Sequence, residues 1–242
     1  RDCLLSRELS VLSVRRMFAT INAVFNFAIG EYGLDMKNPF ALVYMPQATG
    51  KKRLPIPIET IRAIQSACFE IDDDLRWLVA LISDTGMRLS EAAGLAIEDI
   101  CLDHQVPHIN LKPHPWRRLK TQQSERQVPL VGAALWAAKR ITTGVEGQWC
   151  FPRYTNAESC NGNSASAALN KWLKANFSKE AVVHGFRHSF RDRLRAVNCP
   201  TEMIDQLGGW SIPNVGGRYG QGYNLKSQKV FMDAIIIKAE HH

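Results

Sequence analysis

The stretch that most restricts the fold of this chain is the break at residues 45–57, "MPQATGKKRLPIP", which holds three prolines, a glycine and a Lys-Lys-Arg run. Neither a helix nor a strand is expected to continue through such a segment. Before it, residues 8–30 carry one long amphipathic pattern, and a single helix cannot bury a core alone. The sequence therefore predicts a domain boundary near Lys51. Residues 1–50 are expected to be the C-terminal part of a helical domain, and residues 51–242 a second domain.

The pattern after the break is mostly helical with one short extended region. Residues 58–71 and 73–86 have helical periodicity, and Gly86 is expected to end the second helix. The runs "PHINLK", "WRRLKT" and "RQVPL" are short, extended and separated by turn residues, which favours a small antiparallel meander. Further helical patterns occupy residues 132–142, 164–177, 183–197, 200–207 and 226–239. The predicted class is α+β: a mostly helical domain with a small antiparallel three-stranded sheet, preceded by part of a helical domain.

The charge and the potential ligand residues narrow the function classes. The formal net charge is +7, which favours a polyanionic partner because cationic side chains that meet phosphates release condensed counterions. The six cysteines are scattered without metal-ligand spacing, and the histidines of "HQVPHINLKPH" have no Cys or carboxylate beside them at such spacing. We therefore expect no metal and no cofactor. No apolar run is long enough to span a bilayer, which predicts a cytoplasmic location without membrane contact.

The segment "DTGMRLSEAAGL", residues 84–95, places an arginine beside a helix start. Ser90 is the predicted N-cap of a short helix that contains Glu91. Arg88 can then add its guanidinium to the free N–H groups of the helix start, while Glu91 orients it. An exposed ion pair is the commoner role for two such residues taken alone.

Two further segments offer cations. In "VVHGFRHSFRDRL", His184 and Arg187 stand three residues apart and share one helix face, whereas His188 is expected to pack elsewhere. In "RRLKTQQSERQVPL", Lys120 lies near the end of a predicted strand, where a lysine is usually a solvated charge. Each segment is a weak signal by itself.

Together these segments resemble the tyrosine recombinase, or phage integrase, family. "TGMRLSEAAGL" is similar to the first arginine box of that family, "LKTQQSERQVPL" to its β-hairpin lysine and "HGFRHSF" to its HxxR box. The family spacing then falls on a tryptophan in "GGWS", where His is commoner, and on a tyrosine in "RYGQGY". The resemblance covers residues 54 to about 239, and residues 8–46 resemble the end of the family's core-binding domain. The matching site residues are Arg88, Lys120, His184, Arg187, Trp210 and Tyr219, with Glu91 in support.

The resemblance implies a role for each of these residues. Arg88 and Arg187 would bind the phosphate of a DNA strand, and the Trp210 indole and His184 would donate further hydrogen bonds. Lys120 would protonate the departing 5′ oxygen, and His184 would accept the proton of the attacking tyrosine. That tyrosine is expected to be Tyr219, which glycines flank on both sides, and the product is a 3′-phosphotyrosine.

The resemblance also implies partners. They are double-stranded DNA at attachment sites, three further copies of the chain in a homotetramer, and accessory DNA-bending or directionality factors. A phage or genomic-island source and a bacterial, nucleoid-associated setting are expected. Two alternatives stay open on the sequence: a type IB topoisomerase-like enzyme that cleaves and reseals one duplex, and a DNA-binding regulator without catalytic activity. Tyr223 is the second candidate nucleophile, although its expected role is to anchor the last helix.

Overall fold

The computed structural model describes residues 1–47, 54–210 and 222–238, and the chain divides into two compact units, Arg1–Arg53 and Leu54–His242. The described residues form ten α-helices and three strands. The helices are α1 (Asp2–Ser6), α2 (Val11–Glu31), α3 (Ile58–Ile71), α4 (Asp74–Thr85), α5 (Leu89–Ala93), α6 (Gly132–Gly144), α7 (Gly162–Asn176), α8 (Val183–Ala196), α9 (Thr201–Gly208) and α10 (Leu225–Ala234). The strands are β1 (Ile100–Cys101), β2 (His108–Leu111) and β3 (Arg126–Pro129).

The first unit is built on the long helix α2. Ser10 caps it, because the Ser10 side chain accepts a hydrogen bond from the backbone N–H of Ser13 at 3.1 Å. The chain after the helix folds back so that the ring of Phe40 packs on Phe18 and Phe25, with centroids 6.2 Å and 4.8 Å apart. These aromatic contacts hold the returning segment on α2.

The second unit is organised around α4, which packs against α3, α6 and α8 and has nine buried residues. A helix surrounded in this way is apolar on most sides, as "LVALI" in its centre shows. It ends at Gly86, whose φ is +59°. A Cβ at Gly86 would lie 2.4 Å from Cδ1 of Phe190, so both the conformation and the close approach of α8 require glycine there.

The sheet is three-stranded and antiparallel as predicted, but one predicted strand is wrong. The order is β1-β2-β3, with Ile109 paired to Val128. The run "WRRLKT", residues 116–121, is not a strand: it follows two prolines and enters a tight turn in which the backbones of His114 and Arg117 exchange two hydrogen bonds of 3.0 Å. The edge strand comes instead from Ile100–Cys101.

Helices α8, α9 and α10 of the second unit share a smaller apolar cluster, which comprises Val131, Phe190, Leu194, Cys199, Met203, Ile204, Leu207, Met232 and Ile235. The predicted α8 and α9 agree with the structure to within one residue at each end. Among the described residues, no helix is both long and apolar enough to cross a membrane.

Candidate active site

Arg88 and Glu91 form the first part of the site at the start of α5. The N-cap is Arg88, not the predicted Ser90, because the chain turns at Gly86 and becomes helical two residues earlier than the capping pattern indicates. Glu91 Oε2 accepts the backbone N–H of Arg88 at 2.9 Å, and Glu91 Oε1 accepts Nη1 of the Arg88 side chain. The carboxylate therefore fixes both the helix start and the guanidinium.

The Arg88 guanidinium also reaches two other segments of the chain. Nη1 donates to Oγ of Ser124 at 2.9 Å, and Nη2 donates to the carbonyl oxygen of Gly209 at 2.8 Å. The side chain stays 23% exposed. The guanidinium has five N–H groups, and three of them form these two bonds and the bond to Glu91. The other two have no acceptor among the described residues.

Arg187 extends from α8 to the same place and is buried, with 4% of its surface exposed. Nη2 donates to the carbonyl oxygen of Gly208 at 2.9 Å, and Nη1 donates to the carbonyl oxygen of Gly86. Burial lowers the pKa of Arg187 to about 9, against the opposing effect of Glu91 and with a further lowering by Arg88. The guanidinium therefore stays charged at neutral pH, and an anion bound beside it would raise its pKa again.

Trp210 lies directly after α9, where Gly209 at φ +61° ends the helix. Its backbone N–H donates to the carbonyl oxygen of Asp205 at 2.9 Å. The guanidinium carbons of Arg187 and Arg191 lie 4.7 Å and 4.9 Å from the centroid of its ring. Arg191, which the sequence analysis passed over, is itself held by Asp205 at 2.9 Å. The structure thus brings Trp210, Arg88 and Arg187 together.

His184 and Lys120 lie on the surface of the second unit. His184 is exposed on α8, and its ring packs against His188 with centroids 5.1 Å apart. The expectation that His188 faces elsewhere is wrong, because residues four apart on a helix are neighbours. Lys120 is exposed in the connection from β2 to β3 rather than in a strand. Its neighbour Thr121 contacts Ser124 through Oγ1 and Oγ at 3.1 Å, so Ser124 links the Lys120 segment to Arg88.

Arg126, at the start of β3, is a site residue that sequence reasoning missed. Its Nη2 donates to Glu91 Oε2 at 3.1 Å, and its side chain is only 3% exposed. Burial alone would raise the pKa of Glu91, but the charge of Arg126 and the hydrogen bonds from Arg88 and Arg126 outweigh it, so the pKa is below its ordinary value. We call Arg88, Glu91, Arg126 and Arg187 the arginine cluster; it holds three guanidinium cations and one carboxylate.

Tyr219 lies outside the described residues, whereas Tyr223 lies within them. The side-chain amide of Gln206 forms two hydrogen bonds with the backbone of Tyr223. Its oxygen accepts one from the N–H at 2.9 Å, and its nitrogen donates one to the carbonyl oxygen at 3.0 Å. Gln228 donates to the same carbonyl at 2.9 Å. Tyr223 is therefore tied to both α9 and α10, in agreement with its expected anchoring role.

One group of potential metal ligands lies away from the arginine cluster, among the residues that the structure describes. Glu98, Asp99 and His114 bring their ligand atoms close together. Cationic side chains already pair with both carboxylates. Lys112 pairs with Glu98 at 2.9 Å, and Arg117 pairs with Asp99 at 3.3 Å. The group is therefore an ion-pair network among side chains of the protein, exposed at Glu98 and buried at Asp99.

Comparisons with known proteins agree with this fold. The model of the phage integrase family matches residues 57–224. The chain is 27% identical to tyrosine recombinase XerD of Staphylococcus epidermidis, covering 82% of this chain and 68% of that protein. It is 25% identical to tyrosine recombinase XerC of Neisseria meningitidis serogroup C, covering 75% of this chain and 59% of that protein.

Solved structures show the same fold at low sequence identity. The Tn1549 transposon integrase in complex with transposon right end DNA aligns with a TM-score of 0.61 and 18% identity, over 94% of this chain and 76% of that chain. A lambda integrase dimer bound to a COC′ core site aligns with a TM-score of 0.64 and 16% identity, over 92% and 64% of the two chains.

Proposed function

The chain belongs to the phage integrase family of tyrosine recombinases, and from that premise we propose that it cleaves and rejoins double-stranded DNA through a 3′-phosphotyrosine linkage. The observation that carries this proposal is the charge of the arginine cluster. The guanidinium groups of Arg88 and Arg126 bond to Glu91, and that of Arg187 is near enough for its pKa to depend on the charge of Glu91. Arg88 and Arg187 keep N–H groups that no described residue accepts. A phosphodiester supplies the missing negative charge.

The residues have distinct roles in the proposed reaction. Arg88 and Arg187 bind the nonbridging oxygens of the phosphate, and Trp210 adds its indole N–H. The phenol oxygen of Tyr219 attacks phosphorus while the bond to the 5′ oxygen breaks. The tyrosine proton passes to His184, and Lys120 protonates the 5′ oxygen that leaves. Because the phosphotyrosine keeps the energy of the broken ester, a 5′ hydroxyl of another strand reverses the step without a nucleotide cofactor.

The wider setting of the reaction belongs to the same proposal. Tn1549 and lambda integrases are described in complex with DNA, which supports DNA as the partner of this chain. Residues 1–50 contribute the C-terminal part of a helical DNA-binding domain, and residues 51–242 form the catalytic domain. We infer a homotetramer on attachment sites, assistance by DNA-bending or directionality factors, and a phage or genomic island in a bacterial cytoplasm as the source.

Covalent capture of DNA tests the proposed nucleophile. The chain is incubated with a pool of nicked duplexes of randomised sequence. Cleavage near the nick releases a short piece of DNA that diffuses away, so the strand cannot be rejoined. The covalent protein–DNA adducts that survive denaturation are then counted. Tyr219→Phe is expected to abolish the adduct and to keep DNA binding, whereas the matched Tyr223→Phe keeps both. Mass spectrometry is expected to place the phosphate on Tyr219.

Other outcomes of the same assay would contradict the proposal. A phosphate on Tyr223 would overturn the assignment of the nucleophile. DNA binding without any adduct from the wild-type chain would favour the inactive regulator. In a second assay on closed circular DNA, relaxation of a supercoiled duplex without strand exchange would favour the topoisomerase-like enzyme.

A further inference from the structure

The end of α9 is held by three arginines from three different elements. Leu207, Gly208 and Gly209 present successive carbonyl oxygens, which accept hydrogen bonds from Arg126 Nε at 2.8 Å, Arg187 Nη2 at 2.9 Å and Arg88 Nη2 at 2.8 Å. The last carbonyls of a helix have no partner within the helix and carry partial negative charge, which attracts cations. Trp210 follows directly, so these three bonds fix the point where the chain leaves α9.

Arg126 differs from the other two arginines because every one of its side-chain nitrogens has a partner within the protein. Nε bonds to α9, Nη1 donates to the carbonyl oxygen of Ser124 at 2.7 Å, and Nη2 donates to Glu91 Oε2. The group joins α5, the β2–β3 connection and α9. A Cβ at Gly209 would lie 2.7 Å from Arg126 Nη1, so the backbone of α9 closes over the guanidinium. No phosphate can reach it without opening this packing.

The contacts of Arg126 reach the phosphate-binding groups indirectly. Glu91 uses Oε2 for Arg126 and for the backbone N–H of Arg88, and Oε1 for the Arg88 guanidinium. Without the bond to Arg126, the carboxylate of Glu91 is held on one side only. It then fixes the orientation of the Arg88 guanidinium less firmly. Loss of the bond to Leu207 loosens the end of α9, where Gly208 and Gly209 hold Arg187 and Arg88.

We propose that Arg126 is a positioning residue of the phosphate site: it sets Glu91 and the end of α9, and through them Arg88, Arg187 and Trp210, without touching DNA. The inference rests on the proposed function. A planar guanidinium is needed because its fork spans three acceptors at once, which the single ammonium of lysine cannot do at the same length. Arg126→Lys therefore keeps the charge and removes the geometry.

The test compares Arg126→Lys with a matched control, Arg193→Lys. Arg193 is also buried and pairs with one carboxylate, Asp84 at 2.9 Å, but within the described part of the chain no hydrogen bond or ion pair joins it to Glu91 or to α9. Single-turnover cleavage at saturating DNA, the Kd for DNA and the unfolding midpoint are measured for each. We expect Arg126→Lys to slow cleavage about tenfold or more while the Kd changes less than about threefold. Arg193→Lys is expected to lower the unfolding midpoint and to leave cleavage by the folded protein within about threefold.

A double variant separates positioning from general stability. If Arg126 acts through Glu91, then Glu91→Gln added to Arg126→Lys slows cleavage little beyond the slower single variant. If the Arg126→Lys variant does not fold, the same measurements are made on Arg126→Met, with Arg193→Met as its control. Cleavage at the wild-type rate, a loss confined to DNA affinity, or fully multiplicative effects in the double variant would each overturn the inference. Wild-type cleavage by Arg88→Lys would instead contradict the proposed function, which keeps the two failures distinguishable.

Discussion

Two of the buried arginine–carboxylate clusters of the second unit differ in their charge balance. In the one that we call the Asp84 cluster, Asp84 Oδ1 accepts from Arg193 at 2.9 Å and from Gln65 at 3.1 Å, and Asp84 Oδ2 accepts the backbone N–H of Ala133 at 2.9 Å. One cation faces one anion there. In the arginine cluster Glu91 is the one carboxylate among three guanidinium groups, and two of the three bond to it.

The difference separates a structural ion pair from the proposed phosphate site. Unpaired charge in a protein interior is unfavourable, so a structural cluster is expected to balance its charges locally. The arginine cluster does not, and its excess charge is met by the partial charges of the α9 carbonyls and by the partial exposure of Arg88. The proposed phosphate would balance the charge of the arginine cluster, whereas the charges of Arg193 and Asp84 already balance each other.

The largest predicted effect is on stability, at the balanced cluster. Asp84→Asn keeps the shape of the side chain but leaves Arg193 buried without its anion, so the free energy of unfolding should fall by about 3–5 kcal/mol. Urea unfolding measures this loss. Asp233→Asn, at an exposed pair with Lys229, is the control and should lose less than about 1 kcal/mol. A loss at Asp84 as small as that of the control would remove the distinction between the clusters.

The next effect is on catalysis, at the unbalanced cluster. Arg187→Lys should slow covalent cleavage at least about a hundredfold, equivalent to about 2.7 kcal/mol, because lysine lacks the bidentate fork. DNA binding should stay within about threefold, since lysine keeps the positive charge of Arg187. Arg195→Lys, exposed on the same helix, provides the control. Cleavage at the wild-type rate in the Arg187 variant would exclude the arginine cluster as the phosphate site.

The smallest predicted effect concerns Glu91 and depends on pH. Glu91→Gln should slow cleavage about tenfold, because the neutral amide orients Arg88 less strongly. Since the pKa of Glu91 is lowered in the folded protein, the carboxylate stabilises the fold fully above its ordinary pKa of 4.5, and this contribution is lost as the pH falls through the lower folded value. The difference in the free energy of unfolding between wild type and variant should therefore be largest near pH 7 and should decrease as the pH falls toward about pH 3. A pH-independent difference would mean that the charge of Glu91 is not what matters.

Most of the helical fold and the identity of the family were predictable from the sequence. Helices α3, α4, α8 and α9 carry their signals locally, in apolar periodicity and in the glycine that ends α4, so their predicted bounds are nearly those observed. The order and spacing of the boxes from Arg88 to Trp210 identified the family, which the family model confirmed. Neither source of information required knowledge of which residues meet in space.

What only the tertiary structure decided depends on contacts between distant segments. The edge strand is Ile100–Cys101 rather than residues 116–121, because a two-residue strand exists only through its partner β2. Arg126 looked like an ordinary strand residue in "SERQVPL", yet its three partners lie 2, 35 and 81 positions away along the chain. Sequence periodicity reports which face of an element is apolar, but a guanidinium finds its carbonyl oxygens only after the helices have packed and have left no water to bind instead.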